Sequence, residues 1–325
     1  MFELSEIFQD LNIVAIPTKT NFRGVNVREA ALFRGRQGWS EFSPFIEYGV
    51  NESKTWLQAA LEAAYKPWPK LLREKVLINA TLPQVAIDEV PRILRGFPGA
   101  NTIKIKVDDF EKDNYLVEAA LEFNPDAKIR LDVNGGWDLQ TALLNLYNFH
   151  LRFGNVFEYI EQPCLELTDL AKLKKEVPLK IAVDESIRKA LDTDLSVLKE
   201  CADVAIVKWA PSGGFASAQK LISAIGLPVV ISSALDTGIG ISHGLALAAA
   251  QPEMEFACGL GTTSLFVSDV LAPSLLMVDG SLEVARQELD EELLSKYQAS
   301  PERRLWWEER IRSIVAEGGF DEYLN

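Results

Sequence analysis

The chain has few of the residues from which many protein sites are built. Its 325 residues include three cysteines and two histidines. Cys164, Cys201 and Cys258 lie far apart without a Cys-x-x-Cys pair. This argues against a disulfide framework or a zinc knuckle and indicates buried thiols in a reducing compartment. His150 and His243 are too few for a multi-histidine metal site, so any chemistry must use carboxylates and lysines.

Basic charge and long apolar segments are also scarce. The chain has 33 Lys and Arg against 47 Asp and Glu, a formal net charge of −14. Because nucleic acids are bound mainly through basic surfaces, we expect no nucleic-acid partner. No segment approaches the apolar length of a membrane span, and the first residues lack the pattern of a signal peptide. We therefore expect a soluble, cytoplasmic protein without a membrane partner.

From about residue 75 the sequence repeats short apolar runs, each followed by a segment with helical spacing. The runs recur about every 25 residues, which leaves room for a crossover helix between parallel strands. Eight such units predict a (β/α)8-type barrel, with an open doubly wound sheet as the alternative. The runs are residues 76–81, 102–107, 128–134, 157–161, 179–184, 204–208, 229–232 and 255–259.

The first 75 residues have a different pattern. Alternation over residues 24–28 and 30–35 predicts an antiparallel meander, and residues 56–65 have the spacing of an amphipathic helix. We expect an α+β capping domain over residues 1–75 and a barrel over residues 76–284. Residues 285–325 have charged helical spacing and are expected to pack back on the cap.

Charged residues end five consecutive runs, in the order Lys106, Asp132, Glu161, Asp184 and Lys208. The C-terminal ends of the strands in a parallel barrel meet at one mouth, where active sites lie. One such charge is typical of a solvated strand end, but five in succession are not. We therefore expect these side chains to be neighbours in a functional site.

Three of these residues are carboxylates on adjacent strands, which cannot all stay ionised side by side without a cation. Asp132, Glu161 and Asp184 are thus candidate metal ligands. An all-oxygen set with open positions favours octahedral Mg²⁺. Asn134 faces the same side as Asp132 and is a candidate for a supporting or substrate hydrogen bond. The alternative is a ring of salt bridges with the flanking lysines.

The lysines are arranged for acid–base chemistry. Lys106 and Lys208 flank the carboxylates in strand order and so are expected on opposite sides of the metal ion. Lys104 faces the same side as Lys106, with Cα atoms about 6 to 7 Å apart, so each ammonium disfavours the charge of the other. Together with Mg²⁺, this repulsion is expected to bring a lysine pKa toward the roughly 7 to 8 that suits a general base.

This set of residues is similar to that of the enolase superfamily, in its muconate lactonizing subgroup. The resemblance covers nearly the whole chain, from the cap through Lys-x-Lys at the second strand to the lysine at the sixth. It implies an α/β fold, a (β/α)7β TIM-like barrel with an N-terminal α+β capping domain completed by the C-terminal segment. It also implies Mg²⁺ as the cofactor, with a lysine base and a metal-stabilised enediolate.

Residues 21–25, 38–45, 47–48 and 232–238 resemble the o-succinylbenzoate synthase family. The resemblance implies syn-dehydration of 2-succinyl-6-hydroxy-2,4-cyclohexadiene-1-carboxylate, a small anionic cyclohexadiene carboxylate, to o-succinylbenzoate in menaquinone or phylloquinone biosynthesis. It further implies that Lys106 removes the α-proton and then assists loss of hydroxide from the same face. Lys208 is expected to remain cationic and to stabilise the developing anion.

The remaining strand ends and the cap offer candidate substrate contacts. Hydroxyl and backbone N–H donors at the seventh and eighth strands are expected to bind the succinyl group, although Gly-x-Gly is equally typical of a tight turn. Arg23 in the cap is a candidate partner for the succinyl carboxylate, or else packs its own loop. The strand-end candidates are Ser232, Ser233, Gly259, Gly261 and Thr262.

Other functions stay open. An N-succinylamino acid racemase would use both lysines as bases, whereas a dipeptide epimerase is disfavoured because residues 258–260 lack Asp-x-Asp. A Schiff-base aldolase would use a barrel lysine but not three carboxylates. A non-catalytic binding protein on this fold would gain no stability from uncompensated charges. The sequence leaves the oligomeric state open.

Overall fold

The computed structural model describes residues 4–22, 24–190 and 194–320. Arg23, the candidate cap contact, lies outside the described residues. The strands are β1 (Asn12–Phe22), β2 (Val25–Gly35), β3 (Gly38–Phe42), β4 (Lys75–Leu77), β5 (Ala80–Leu82), β6 (Thr102–Lys106), β7 (Lys128–Asp132), β8 (Phe157–Glu161), β9 (Ile181–Val183), β10 (Val204–Lys208), β11 (Val229–Ser232) and β12 (Ser281–Glu283).

The helices lie between these strands and at the two ends of the chain. The α-helices are α1 (Leu4–Gln9), α2 (Val50–Tyr65), α3 (Val90–Leu94), α4 (Phe110–Phe123), α5 (Leu139–Phe153), α6 (Leu167–Glu176), α7 (Glu185–Ala190), α8 (Leu198–Cys201), α9 (Phe215–Ile225), α10 (Gly238–Ala249), α11 (Glu291–Tyr297) and α12 (Pro301–Ala316). Short 3-10 helices cover Ile87–Glu89, Gly154–Val156, Leu195–Val197 and Thr262–Leu265.

The N-terminal region is an antiparallel meander, as the alternation predicts. Strands β1, β2 and β3 pair in that order, and α2 packs against them. The helix approaches closely because its inner face is rich in alanine. The Ser40 hydroxyl donates to the Ala60 carbonyl at 2.8 Å, and a Cβ at Gly35 would overlap Ala64.

The C-terminal helix α12 returns to this sheet. Arg303 donates to the Glu29 carboxylate of β2 from Nε at 3.0 Å and from Nη2 at 2.7 Å. The buried indole of Trp307 donates to the same carboxylate at 2.7 Å. The expected contact between the C-terminal segment and the cap is therefore present, while the domain boundaries at residues 75 and 284 stay a prediction.

The repeating runs form a curled parallel sheet in the order β11, β10, β9, β8, β7, β6, β5. Helices between successive strands cover its outer face. They begin where side chains accept from free backbone N–H groups, as Asp109 does for α4 and Asp138 for α5. Helix α10 is buried along its whole length, because one side faces the barrel and the other side contacts strand β3 of the cap.

Two residues bridge the edges of this sheet. Cys258 and Gly259 form parallel bridges with Ile78 and Ser232 respectively, next to the first and last strands. The Gly259 N–H donates to the Ile231 carbonyl at 2.9 Å, and the Cys258 N–H donates to the Leu77 carbonyl at 2.7 Å. The eighth run, predicted over residues 255–259, is thus a two-residue bridge rather than a full strand.

The first predicted run, residues 76–81, is also divided. Strand β4 pairs antiparallel with β12, whereas β5 pairs parallel with β6. The chain changes partners between them, since Ile78 N–H donates to Gly280 and Asn79 N–H donates to Cys258. A single apolar run therefore serves two sheets, which its alternation alone does not reveal.

The barrel interior is filled below the charged strand ends. Tyr159, Ala182, Val204, Ile206, Val230 and Phe256 pack there as a separate apolar cluster. Arg130 is fully buried against it, with its guanidinium carbon 4.6 Å from the Tyr159 ring centroid. Within the described residues, no helix has both the length and the apolar character that crossing a bilayer requires.

Candidate active site

The five predicted strand-end charges meet at one end of the sheet. Parallel pairing places Lys106 beside Asp132 and Asp132 beside Glu161 in register. The cavity at this end receives residues from the cap as well as from the barrel. Its lining consists of Phe22, Phe45, Thr81, Lys104, Lys106, Asp132, Glu161, Asp184, Lys208, Ser232, Ser233, Ala234, Leu235, Gly259 and Thr262.

Each of the three lysines contacts a carboxylate. Lys104 Nζ lies 3.1 Å from Asp132 Oδ2 and 3.1 Å from Glu161 Oε2. Lys106 pairs with the same Asp132 oxygen, and Lys208 pairs with Asp184. The salt bridges with lysines considered as an alternative are thus present in a group formed by Lys104, Lys106, Asp132 and Glu161 and in the pair Lys208–Asp184.

Burial and charge shift the pKa values of this cluster in opposite directions. Burial raises the pKa of Glu161 to about 7, and the neighbouring Asp132 and Asp184 add to the shift. For Asp132, burial is outweighed by Lys106 and Lys104, which hold the pKa of its carboxyl well below the usual range. The lysines therefore stabilise the ionised form of Asp132, whereas the surroundings of Glu161 favour its protonated form.

The pKa of Lys104 shifts opposite to the expectation from its neighbour Lys106. Burial alone would lower it, but Glu161 and Asp132 raise the pKa of Lys104 above its ordinary value. The attraction to two contacting carboxylates exceeds the repulsion from one ammonium. Lysine–lysine repulsion therefore does not make Lys104 a base in this arrangement.

The donor set fits a hard divalent cation, although no cluster of three His, Cys, Asp or Glu side chains stands ready for a metal within the described residues. Asp132 Oδ1 is buried and has no hydrogen-bond partner there. A buried carboxylate oxygen without a partner carries a desolvation cost that a cation would offset. Asp132 and Glu161 also share one ammonium, so their carboxylates are neighbours, as ligands of a single cation must be.

Asn134 bonds to Lys106 and is not itself among the residues that line the cavity. Its Oδ1 accepts from Lys106 Nζ at 2.8 Å, and its Nδ2 donates to Glu185 Oε1 at 3.0 Å. The residue has a positive φ of 52°, which asparagine tolerates better than most residues. The supporting role predicted for Asn134 is therefore compatible with its contacts.

Gln162 was not among the predicted site residues. Its Oε1 accepts from the N–H groups of Asp184 and Ser186 at 3.0 and 3.1 Å. Its Nε2 donates to Cys164 O at 2.8 Å and Ser186 Oγ at 2.6 Å. This fully buried amide ties the ends of β8 and β9 together, directly after Glu161. The only sequence signal is a polar residue immediately following a strand-end carboxylate.

The predicted substrate contacts are only partly brought together. Ser232, Ser233, Gly259 and Thr262 line the cavity, with Ser233 Oγ and Thr262 Oγ1 2.8 Å apart. Gly261 is not among the lining residues, and a Cβ there would lie 2.9 Å from Ile78 and 3.0 Å from Phe97. Close packing is therefore enough to explain a glycine at this position, and the role of Gly261 as a substrate contact stays a prediction.

The cap supplies aromatic residues that the sequence analysis did not single out. Phe22 ends β1 with its ring centroid 5.7 Å from Lys106 Nζ, and Phe45 follows β3. Across the cavity, Ala234 and Leu235 follow β11. All four residues lie in the segments 21–25, 38–45 and 232–238, whose family resemblance the sequence shows without indicating the role of each residue.

Comparison with known proteins agrees with this architecture. Residues 13–64 match the family described as Enolase N-terminal domain-like, and residues 92–288 match Enolase C-terminal domain-like. The o-succinylbenzoate synthase of Mycolicibacterium smegmatis is 44% identical over 312 residues, 95% of this chain and 96% of that protein. That of Mycobacterium leprae is 42% identical over 321 residues, 96% and 93% of the two chains.

Solved structures confirm the fold class. Muconate lactonizing enzyme from Pseudomonas fluorescens, complexed with muconolactone, superposes with a TM-score of 0.74 at 20% identity, covering 89% of this chain and 98% of that one. The predicted TIM-like barrel with an N-terminal α+β cap is thus confirmed. Enzymes of this superfamily generally depend on a divalent metal ion. The chain belongs to the enolase superfamily, in the family of the o-succinylbenzoate synthases.

Proposed function

We propose that this enzyme dehydrates 2-succinyl-6-hydroxy-2,4-cyclohexadiene-1-carboxylate to o-succinylbenzoate and water, in menaquinone or phylloquinone biosynthesis. The observation that carries the proposal is the near-full-length similarity to o-succinylbenzoate synthases at 42–44% identity. The cavity supports it, since it holds lysines and carboxylates suited to removing a proton beside a carboxylate group. We further propose that the enzyme acts in the cytoplasm, which three buried, unbridged cysteines support.

The cofactor in this proposal is Mg²⁺, held by Asp132, Glu161 and Asp184. Bound there, it would supply positive charge against the negative charge that develops on the substrate carboxylate. Two observations support these ligands: Asp132 Oδ1 has no hydrogen-bond partner among the described residues, and the pKa of Glu161 is raised. An all-carboxylate set favours Mg²⁺ over softer metals.

Lys106 is the proposed base. Its neutral Nζ takes the proton from the ring carbon that bears the carboxylate, and the C–H electron pair moves toward that carboxylate. The same lysine, now an ammonium, returns the proton to the departing hydroxyl as the C–O bond breaks. Water leaves and the ring becomes aromatic. Asp132 and Asn134 both accept from Nζ and so support a fixed direction for this proton transfer.

Lys208 has the complementary role in this mechanism. Its ammonium pairs with Asp184, two strands from Asp132, and we assign it to stabilising the anion by charge and by contact with the ring face. Ser232, Ser233 and Thr262 would give hydroxyl donors to the succinyl group, and the backbone at Gly259 lies beside them. The small anionic substrate therefore meets a cavity with cations on two sides.

N-succinylamino acid racemisation is the second candidate activity. One observation favours it: Lys106 and Lys208 both face the cavity and are separated in strand order by the three carboxylates. Two bases on opposite faces are what a racemase requires. The same residues therefore suit both reactions, and substrate preference separates them.

The decisive experiment measures kcat/KM for the cyclohexadiene and for a series of N-succinylamino acids, with Mg²⁺ and after chelation by EDTA. We expect the larger value with the cyclohexadiene, and loss of activity with EDTA that Mg²⁺ restores. A larger kcat/KM for any N-succinylamino acid would transfer the assignment to racemase. Full activity in EDTA would remove the proposed metal site.

A further inference from the structure

Arg28 joins the cap to the barrel from a buried position on β2. Only 2% of its surface is exposed. Its Nε donates to the Leu235 carbonyl of the barrel at 3.0 Å, and its Nη2 donates to the Ser43 carbonyl of the cap. A second barrel carbonyl, that of Ala234, lies 3.4 Å from Nη2. One guanidinium thus holds backbone on both sides of the boundary.

The groups that Arg28 holds form one wall of the cavity. Ala234 and Leu235 line it from the barrel, and Phe45 lines it from the cap. The guanidinium carbon lies 4.7 Å from the Phe45 ring centroid, in cation–π contact. Arg28 itself is not a lining residue. It therefore contacts the wall from behind, without reaching the reacting groups.

The wall needs support from behind because its backbone is strained. Leu235 has a φ of +63°, a left-handed conformation that costs a branched side chain free energy unless neighbouring groups enforce it. The hydrogen bond from Arg28 to the Leu235 carbonyl fixes the peptide group directly after that strained φ. Loss of the bond would let this peptide relax and change the cavity surface.

Glu41 of β3 forms a second connection beside the first. Its carboxylate accepts from Thr237 N at 3.1 Å, from Gly240 N at 2.9 Å and from the Thr237 hydroxyl. A carboxylate is stabilised at the N-terminus of α10. Asp236, also buried, accepts from Ala234 N at 3.2 Å. Burial lowers the pKa of Arg28, and the negative charges of Asp236 and Glu41 oppose that shift.

We propose that Arg28 is a positioning residue that sets the shape of the substrate cavity across the cap–barrel boundary. The identity of the substrate rests on the proposed function, but the placement of the wall does not. The hydrogen bonds of Arg28 go to the carbonyls of Leu235, Ser43 and Ala234, not to the strand-end lysines or carboxylates. Its replacement is therefore expected to change substrate binding, and so KM, more than kcat. The binding of product changes in parallel.

The test compares Arg28→Met, Arg28→Lys and Arg303→Met. Arg303 is the matched control, because its guanidinium binds Glu29, the neighbour of Arg28 on β2, and within the described residues it donates no hydrogen bond to the barrel. We expect Arg28→Met to raise KM and the Kd of o-succinylbenzoate about tenfold, with kcat within about threefold of wild type. Arg28→Lys keeps the charge but not the forked geometry, so we expect its KM to lie between that of the wild type and that of Arg28→Met.

Amide hydrogen exchange tests the same proposal without any ligand. Arg28→Met and Arg28→Lys are expected to speed exchange at residues 234–240, whereas Arg303→Met lowers Tm and leaves that segment and KM unchanged. Equal effects of the Arg28 and Arg303 variants on KM and exchange would overturn the proposal. If Arg28→Met does not fold, Arg28→Lys decides it. If the wild-type enzyme has no synthase activity, the proposed function is wrong. The hydrogen-exchange data would still test the role of Arg28, because they require no substrate.

Discussion

Two layers of buried charge lie one above the other inside the barrel, and they are organised differently. In the lower layer, Arg130 bonds to Glu158 at 2.6 Å, Asn79 at 2.9 Å and the Ala257 carbonyl at 2.8 Å. In the upper layer, two residues along the same strand, Asp132 is paired with lysines, but its buried Oδ1 has no hydrogen-bond partner in the part of the chain that the structure describes.

This difference separates charge that stabilises a fold from charge that is available for chemistry. The lower cation contacts the Glu158 carboxylate, two further oxygen acceptors and the faces of Tyr159 and Phe256. Its positive charge is therefore offset by groups of the protein, although its Nη2, like Asp132 Oδ1, has no hydrogen-bond partner among the described residues. In the upper layer, burial and the neighbouring carboxylates raise the pKa of Glu161 to about 7, whereas Lys106 and Lys104 hold the pKa of Asp132 well below its usual range. Strongly perturbed groups that converge in a cavity are typical of functional sites.

The largest expected effect tests the upper layer. Lys106→Arg keeps a positive charge but is too basic to take a proton, so we expect kcat to fall by about 10⁴-fold or more. Lys208→Arg should retain more activity, since only charge is required there. Steady-state kinetics measures both, with circular dichroism to verify the fold. Dehydration that survives Lys106→Arg and disappears in Lys208→Ala would place the base on the opposite face.

The second prediction tests whether the lower layer serves stability alone. Arg130→Met removes a fully buried cation and leaves Glu158 unpaired, which we expect to lower the free energy of unfolding by about 3 to 5 kcal/mol. The increase in Tm caused by Mg²⁺ should be unchanged, because ligand stabilisation depends on the intact upper site. Thermal unfolding with and without Mg²⁺ measures both quantities.

The matched control for that variant is Asp132→Asn, two residues further along β7. We expect it to abolish the Mg²⁺-dependent increase in Tm, the reverse of the Arg130→Met pattern. Loss of the Mg²⁺ response in Arg130→Met, with its retention in Asp132→Asn, would show that the two layers have been assigned to the wrong roles.

Much of the upper layer could be predicted from the sequence because parallel strands place their C-terminal ends together. Asp132, Glu161 and Asp184 each follow an apolar run, so topology alone made them neighbours. Gln162 and Arg28 could not be predicted in the same way. Most of their partners are backbone N–H and carbonyl groups, which nearly every residue possesses and which therefore leave no pattern in the sequence.

The errors in the fold have a related cause. Residues 76–81 alternate like one strand, but β4 pairs with β12, far along the chain, whereas β5 pairs with the next strand, β6. Lys104 illustrates the same limit for electrostatics, since its spacing from Lys106 was visible while its contacts with two carboxylates depend on neighbouring strands. Local spacing predicts which face a residue occupies, not which partner it meets.

A smaller effect is expected from Gln162, which supports the upper layer indirectly. Gln162→Leu removes the acceptor that holds the Asp184 N–H, and we expect the Kd for Mg²⁺ to rise about tenfold. Gln251→Leu is the control, because this buried amide donates to Leu247 O at 2.9 Å within α10, away from the carboxylates. Isothermal titration with Mg²⁺ compares the two. Equal Kd values in both variants would reduce Gln162 to a packing role.

The smallest expected effect distinguishes a glycine that lines the cavity, Gly259, from one that packs against other side chains, Gly261. A Cβ at Gly261 would press on Ile78 and Phe97, so Gly261→Ala should cost about 1 kcal/mol of unfolding free energy and leave KM unchanged. A Cβ at Gly259 would instead meet the Ser232 side chain within the cavity, so Gly259→Ala should raise KM. Chemical denaturation and steady-state kinetics measure the pair. A raised KM in Gly261→Ala, with none in Gly259→Ala, would return Gly261 to the substrate site.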